Sequence, residues 1–326
     1  MKKRKLGNNG PEVSPLAFGG NVFGWTVNEQ TSFKLLDAFV SSGFDLIDTA
    51  DVYSRWVPGN EGGESESIIG RWLQQSGNRQ KVVLVTKVGM EMAADKKGLS
   101  KAYILAAVEE SLRRLRTDCI DVYLSHTDDP ETPLDETLEA FAQLIGQGKI
   151  RFAGASNYGA ARLSQALEIG GRPGYARYQC LEPLYNLYDR QDYEAELEPV
   201  CRENGLGVIT YYSLASGFLT GKYRSESDAA KSSRRDVVMK YLNNRGRRIL
   251  GALDQVAKEL GSTPAAVSIA WLLTRPTVTA PIASATSLEQ LHTLIEGTRL
   301  TLDGPSLELL NRESEADVTI EYQKTG

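Results

Sequence analysis

One repeating pattern constrains this chain more than any other feature. Short apolar runs alternate, about eight times, with longer segments whose apolar residues fall at helical spacing. Val82-Val83-Leu84-Val85-Thr86-Lys87 is the clearest of the short runs. It is continuous and β-branched, as strands covered on both faces are. Leu16 to Phe18, Phe44 to Ile47, Ile120 to Leu124, Ile150 to Gly154, Tyr178-Gln179, Gly207 to Thr210 and Val278 to Ile282 read as further strands. Helical periodicity follows at Thr31 to Ser42, Ser65 to Gln74, Ser100 to Leu115, Leu134 to Gln147, Ala161 to Glu168 and Glu194 to Glu203. It continues through a helix-rich stretch from Asp236 to Leu260, then Pro264 to Leu273, with Leu288 to Glu296 as the last helix. Strand–helix alternation implies a parallel sheet, and eight such units close into a (β/α)8 TIM barrel. We therefore expect an α/β chain with one barrel domain over residues 1–326. A short N-terminal β-hairpin around Asn8-Asn9-Gly10 precedes it, because Asn-Gly favours tight turns.

Composition excludes several function classes. Lys and Arg total 37 against 42 Asp and Glu, a net charge of −5. That balance argues against a dedicated nucleic-acid or membrane-surface binder. No apolar run approaches the roughly 20 residues that span a bilayer. The basic start, Met1 to Lys5, has no apolar segment after it and does not read as a secretory signal. Cys119, Cys180 and Cys201 are few and widely spaced, which leads us to expect reduced thiols and a cytoplasmic protein. With two histidines, His126 and His292, and no Cys-x-x-Cys, no transition-metal site is expected. Phosphate loops also fail. Gly19 to Gly24 does not fit G-x-G-x-x-G, and Gly217 to Lys222 is one residue short of a Walker A spacing.

The chemistry gathers where strands end. Asp48 and Tyr53 follow the second inferred strand, Lys87 ends the third and His126 follows the fourth. In a barrel these ends converge on one face, where ligands bind. Singly, each has a structural reading: Asp48 as a cap, Tyr53 as packing, Lys87 as a snorkelling lysine, His126 as a satisfied loop histidine. Jointly they make a proton-transfer group. A buried lysine beside a tyrosine should lower the phenol's pKa, Asp48 would hold that lysine, and His126 would hydrogen-bond a carbonyl oxygen. Hydride must then come from a cofactor, since no side chain supplies one.

Ordered segments across nearly the whole chain carry a resemblance. They include Phe44-Asp45-Leu46-Ile47-Asp48-Thr49-Ala50-Asp51-Val52-Tyr53, Gly63 to Gly70, Thr86-Lys87-Val88-Gly89, His126 to Pro130, Gly148 to Tyr158 and Leu214 to Tyr223. The chain resembles the aldo-keto reductase superfamily. That resemblance implies a (β/α)8 barrel, an extended nicotinamide cofactor and a catalytic tetrad of Asp48, Tyr53, Lys87 and His126. Tyr53 would be the acid in reduction and the base in oxidation. It further implies Gly20 and Asn21 along the cofactor, Ser156, Asn157 and Gln179 on the nicotinamide amide, and Tyr211 stacked on its ring. Leu214, Ser216 and Lys222 would follow the pyrophosphate. Arg234 lies in a basic stretch, Lys222 to Arg248, that can fold over the cofactor in the family; a solvated basic helix face is the competing reading.

Two departures from the family pattern bear on specificity. Its Tyr-Ser-Pro-Leu reads Tyr211-Tyr212-Ser213-Leu214, adding a ring and removing a proline. The segment matching the 2′-phosphate site offers Ser284, Thr286 and Gln290 without Lys or Arg. A phosphate without a cation binds more weakly, so NAD competes with NADP as the expected cofactor. Trp25, Trp56 and Tyr158 are the candidate pocket walls, suited alike to a sugar and to a flat aromatic aldehyde. The expected partner is thus a small-molecule carbonyl, alcohol or sugar, with no nucleic acid or membrane; nothing in the sequence speaks to oligomeric state. The rival is a cofactor-sensing regulatory subunit resembling potassium-channel β-subunits, against which stands the lack of a long N-terminal extension.

Overall fold

The structure, a computed structural model, describes residues 2–230 and 234–316. It opens with the expected hairpin, β1 (Arg4–Lys5) antiparallel to β2 (Glu12–Val13). Strand and helix then alternate: β3 (Ala17–Gly19), α1 (Glu29–Ser41), β4 (Leu46–Asp48), α2 (Glu64–Ser76), β5 (Val83–Val88), α3 (Lys101–Leu115) and β6 (Ile120–Ser125). Next come α4 (Leu134–Gly146), β7 (Ile150–Ser156), α5 (Ala160–Ile169), β8 (Tyr178–Glu182), α6 (Glu198–Asn204) and β9 (Gly207–Thr210). A long excursion follows, holding α7 (Glu226–Ala229), α8 (Arg235–Met239), α9 (Asn244–Glu259) and α10 (Pro264–Leu273). It returns through β10 (Val278–Ala283), α11 (Leu288–Gly297) and α12 (Gly304–Ser314). Strands β3 to β10 pair in parallel, each with its neighbour in sequence, and β10 closes onto β3. The (β/α)8 barrel expected from the alternation is the fold observed.

The barrel has two apolar layers. Ala17, Leu46, Val85, Val122, Cys180, Ile209 and Ala280 fill its interior, and Leu6 and Val13 of the hairpin join them. The hairpin plugs the end where strands begin: a Cβ at Gly7 would collide with the Gln179 carbonyl and crowd the Gly207 amide. Outside the sheet, Phe39, Ile69, Trp72, Val108, Phe141, Leu163, Leu253 and Trp271 form the larger core between strands and helices. Helix starts follow local chemistry. Asn28, Ser100, Thr263 and Ser287 each accept a hydrogen bond from a first-turn amide, the last three ahead of α3, α10 and α11.

The sequence reading needs two corrections. α12 lies beyond Leu288 to Glu296, which had been read as the last helix. Asp303 caps it, Pro305 sits in its first turn, and it packs against α9. β8 does not stop at Gln179 but runs to Glu182. Its register against β7 slips by one residue, Ala153 facing Tyr178 and Ala155 facing Leu181. That irregularity turns Tyr178 outward to Phe141 while Cys180 points into the barrel. Cys180 fills space a side chain at Gly154 would need, since a Cβ there would lie 2.6 Å from its Sγ.

Candidate active site

The site is a set of strand ends. Asp48 closes β4, Lys87 lies one residue from the end of β5, His126 follows β6, Ser156 closes β7 and Glu182 closes β8. Alternation places Lys87 on the same inward face as Val85, where it is fully buried. Its ammonium donates to Asp48 Oδ1 at 2.6 Å, the Thr49 carbonyl at 2.9 Å and the Tyr53 hydroxyl at 3.2 Å. A second carboxylate, Glu182 Oε1, lies 3.3 Å away. Burial opposes the lysine's charge, but Asp48 and Glu182 outweigh it and hold its pKa well above the usual range. It is a permanent cation.

Tyr53 departs from the expectation that its pKa is lowered. Burial raises the phenol far above its ordinary value; Lys87 pulls it down, while Asp48 and Glu182 push it up again. Lys87 therefore only partly offsets the cost of a buried phenolate, and Tyr53 is a firm phenol in the free protein. His126 is buried, and burial followed by the Lys87 charge depresses its pKa well below the usual histidine range. It is a neutral imidazole at physiological pH, able to donate one hydrogen bond and accept another. Its ring centroid lies 5.8 Å from that of Tyr53. Its backbone is fixed between the Val88 carbonyl, which accepts its N–H, and Asn157 Nδ2, which donates to its carbonyl. All four expected residues thus meet at one point.

Further polar residues stand at the strand ends from that point toward β10. Asn157 Nδ2 also contacts Ser156 Oγ, and Tyr211 donates from its hydroxyl to Asn157 Oδ1 at 2.7 Å. Ser156, Asn157 and Tyr211 are therefore adjacent, as the resemblance implies for a nicotinamide subsite. After β9 the chain turns through left-handed backbone at Tyr212, Ala215, Ser216 and Gly217. Within it the Ala215 and Gly217 amides donate to the Tyr212 and Leu214 carbonyls, so a ligand here would meet side chains rather than a row of free amides. Ser216 Oγ in that loop is buried without a partner among the described residues, and Lys222 lies across it, so that a Cβ at Gly217 would come within 3.3 Å of its Nζ. These residues fit a bound diphosphate. Leu214 is half-buried at the start of the same loop. At the other wall, a Cβ at Gly20 would meet Ser65 Oγ at 2.8 Å, and Ser284 donates to the Gly19 carbonyl and Asn21 Oδ1. Beyond them Gln290 Oε1 accepts from the Thr286 amide and hydroxyl, both residues exposed at the N-terminus of α11.

Two expected site residues lie elsewhere. Gln179 sits low on β8 near the hairpin, its amide donating to the Arg177 carbonyl, because the strand end lies three residues further on. Tyr158 is buried against Tyr178, edge to face at 5.9 Å, and belongs to the core rather than to a pocket wall. Arg234 lies over the Trp25 ring at 5.1 Å and interacts with Tyr212 and Tyr223 of the stretch after β9, so it stays beside the candidate site. Trp25 and Trp56 do form a wall: they pack edge to face at 5.6 Å, and Trp56 lies 5.9 Å from Tyr53. Lys231, part of the same basic stretch, lies outside the described residues. Sequence reading missed Glu182 and the Thr49 carbonyl. Pro183 was the available signal for Glu182, since a residue without an N–H ends a central strand just after the carboxylate.

The class of protein follows from a parallel barrel with an Asp–Lys–Tyr–His cluster gathered at its strand ends and a left-handed loop beside it. The Aldo/keto reductase family model matches residues 15–312, and the chain belongs to that family. It is 36% identical over 319 residues to the uncharacterized oxidoreductase YrpG of Bacillus subtilis, covering 95% of each chain. It is 30% identical to the aldo-keto reductase YhdN of the same organism, over 95% of this chain and 93% of that one. A probable voltage-gated potassium channel subunit beta of Oryza sativa subsp. japonica is 32% identical over 89% of each. Family membership carries the general class of an NAD(P)-dependent oxidoreductase. Among the described residues no helix is long and apolar enough to cross a membrane, and no cluster of three metal-ligating side chains occurs.

Proposed function

We propose that this chain interconverts aldehydes or ketones and the corresponding alcohols or sugars, with Tyr53 transferring the proton. The carrying observation is Lys87, fully buried, bridging Asp48 and the Tyr53 hydroxyl at 2.6 and 3.2 Å. Ser156, Asn157 and Tyr211 would hold a nicotinamide, and the left-handed loop with Ser216 and Lys222 its diphosphate. The cofactor, when bound, supplies or accepts hydride.

The remaining chemistry is the chain's own. In reduction the carbonyl oxygen lies between the Tyr53 hydroxyl and the neutral His126, which donates a hydrogen bond to it. As negative charge grows on that oxygen, Tyr53 releases its proton, and the fixed Lys87 cation stabilises the phenolate left behind. Asp48 and the Thr49 carbonyl hold the ammonium in place. In oxidation the same atoms act in reverse. Trp25 and Trp56 cover the mouth and favour a substrate with a flat or ring-shaped apolar face.

The lack of a cation among Ser284, Thr286 and Gln290 supports NAD over NADP. Fluorescence titration should give NADPH no more than a small advantage, and at least tenfold tighter NADPH binding would overturn that preference. For the reaction, Tyr53→Phe removes the proton and leaves the ring. Turnover of an aldehyde panel should fall by about 10²–10⁴. A loss below about tenfold means Tyr53 is not the acid. The similarity to a potassium channel subunit beta supports a second reading, regulation by cofactor occupancy. A protein that binds cofactor tightly yet turns over nothing in the panel would favour it.

A further inference from the structure

Glu182 is the member of this cluster that the proposed reaction does not use. It ends β8 beside the tetrad, is 2% exposed, and lies 3.3 Å from the ammonium that already serves Asp48. Asp48 and Glu182 are also within hydrogen-bonding reach of each other. The surroundings thus hold two buried carboxyls and one cation. With both ionised, a net negative charge would lie buried beside a phenol that must itself become negative. Oxygen Oε2 of Glu182 accepts no hydrogen bond from any described donor. A buried carboxyl with one oxygen unserved, within reach of a second carboxylate, is satisfied when the pair holds a proton that one oxygen donates to the other group.

We propose that Glu182 is a positioning residue of the tetrad, sharing one proton with Asp48 and thereby setting how much of the Lys87 charge reaches Tyr53. With the proton present, one carboxylate balances one ammonium, and Lys87 is free to stabilise a phenolate. Once it is lost, the second negative charge offsets the lysine and holds Tyr53 in its neutral form. Burial pushes Glu182 up to about 8, with the neighbouring Asp48 charge adding to the rise and Lys87 opposing it. The other groups around it do not titrate in that range. Lys87 on β5 stays charged, His126 after β6 stays neutral, and Cys180 on β8 and Tyr211 after β9 are both raised, chiefly by burial. The facing residue on β7 is Ser156, whose hydroxyl donates to the Glu182 carbonyl at 2.8 Å.

This inference rests on the reading of Tyr53 as the proton donor, and two measurements separate the two. The first needs no turnover. Infrared difference spectra of the full-length protein between pH 7 and pH 10 should show loss of a protonated carboxyl band, absent from the same difference for Glu182→Gln. An identical band in both proteins, or none in the wild type, overturns the shared proton. The second is the pH dependence of kcat and KM for the best substrate of the panel. Wild-type kcat should fall as pH rises through about 8, with KM little changed. Glu182→Gln should lack that limb, so that the variant-to-wild-type kcat ratio is at least about tenfold higher at pH 9.5 than at pH 6. Superimposable profiles overturn the coupling to Tyr53. A Tyr53→Phe variant with full activity overturns the reaction instead, and leaves the infrared result standing.

Discussion

The two ends of the candidate site are built on different principles. At the proton-transfer end, Asp48, Lys87 and Glu182 sit on or beside strand termini, are almost wholly buried, and touch one another across three strands. At the far end Ser284, Thr286 and Gln290 follow β10, and the last two are exposed and bonded to each other. Barrel geometry fixes the first end: moving Lys87 by one residue would turn it out of the barrel. Only a loop and a helix cap fix the second. Reaction type should therefore resist substitution at the far end, and cofactor preference should yield to it.

The strongest test of this division is Lys87→Met, which keeps length and removes charge. It leaves two buried carboxyls without a cation, and breaking such a pair costs about 3–5 kcal/mol. We expect kcat to drop on the order of 10³-fold or more, while the dissociation constant for the cofactor, read by fluorescence quenching, moves only a few-fold. A cofactor affinity that collapses together with kcat would show that the two ends are not separable.

That Asp48, Tyr53, Lys87 and His126 gather was legible in the sequence, because Asp48, Lys87 and His126 lie at or just past short apolar runs and Tyr53 in the loop after the first, and strand ends are where a parallel barrel exposes side chains. What was not legible depends on register. Tyr178-Gln179-Cys180-Leu181-Glu182 holds two polar residues, and either ends a strand plausibly. Only the one-residue slip against β7 shows that Cys180 and Glu182 face the barrel while Gln179 lies at the plugged end. Tyr158 misled for a similar reason. It follows Ser156-Asn157 closely, but its direction is set by Tyr178 across the strand, with the two hydroxyls 3.3 Å apart. The acidity of Tyr53 was misjudged because the sequence placed one lysine beside it and showed neither the burial of the phenol, which dominates, nor the second carboxylate.

A smaller effect is expected at the far end. Gln290→Arg gives up a local hydrogen bond and places a guanidinium at the N-terminus of α11, where charge and helix dipole both favour an anion. NADPH should bind about tenfold tighter and NADH about as before, the gain corresponding to one charge-assisted hydrogen bond. Because the site is exposed, the gain should shrink as salt is raised. An unchanged NADPH affinity would mean that the 2′-phosphate, if bound, lies elsewhere.

The smallest effect concerns stability at the buried end. Glu182 is held above the ordinary glutamate value in the folded state, so between about 4.5 and 8 the folded protein binds more protons than the unfolded chain. Its favourable contribution is therefore present in full below the ordinary value and is lost as pH rises to about 8. Glutamine carries no such proton. The melting temperature of Glu182→Gln relative to wild type should thus climb by a few degrees from pH 5 to pH 9, most of the change falling below pH 8. Lys87 retains Asp48 in the variant, so no cation is left alone. A gap constant with pH would mean that the folded and unfolded states bind this proton equally, and the two-carboxyl, one-cation account of the buried end would have to be abandoned.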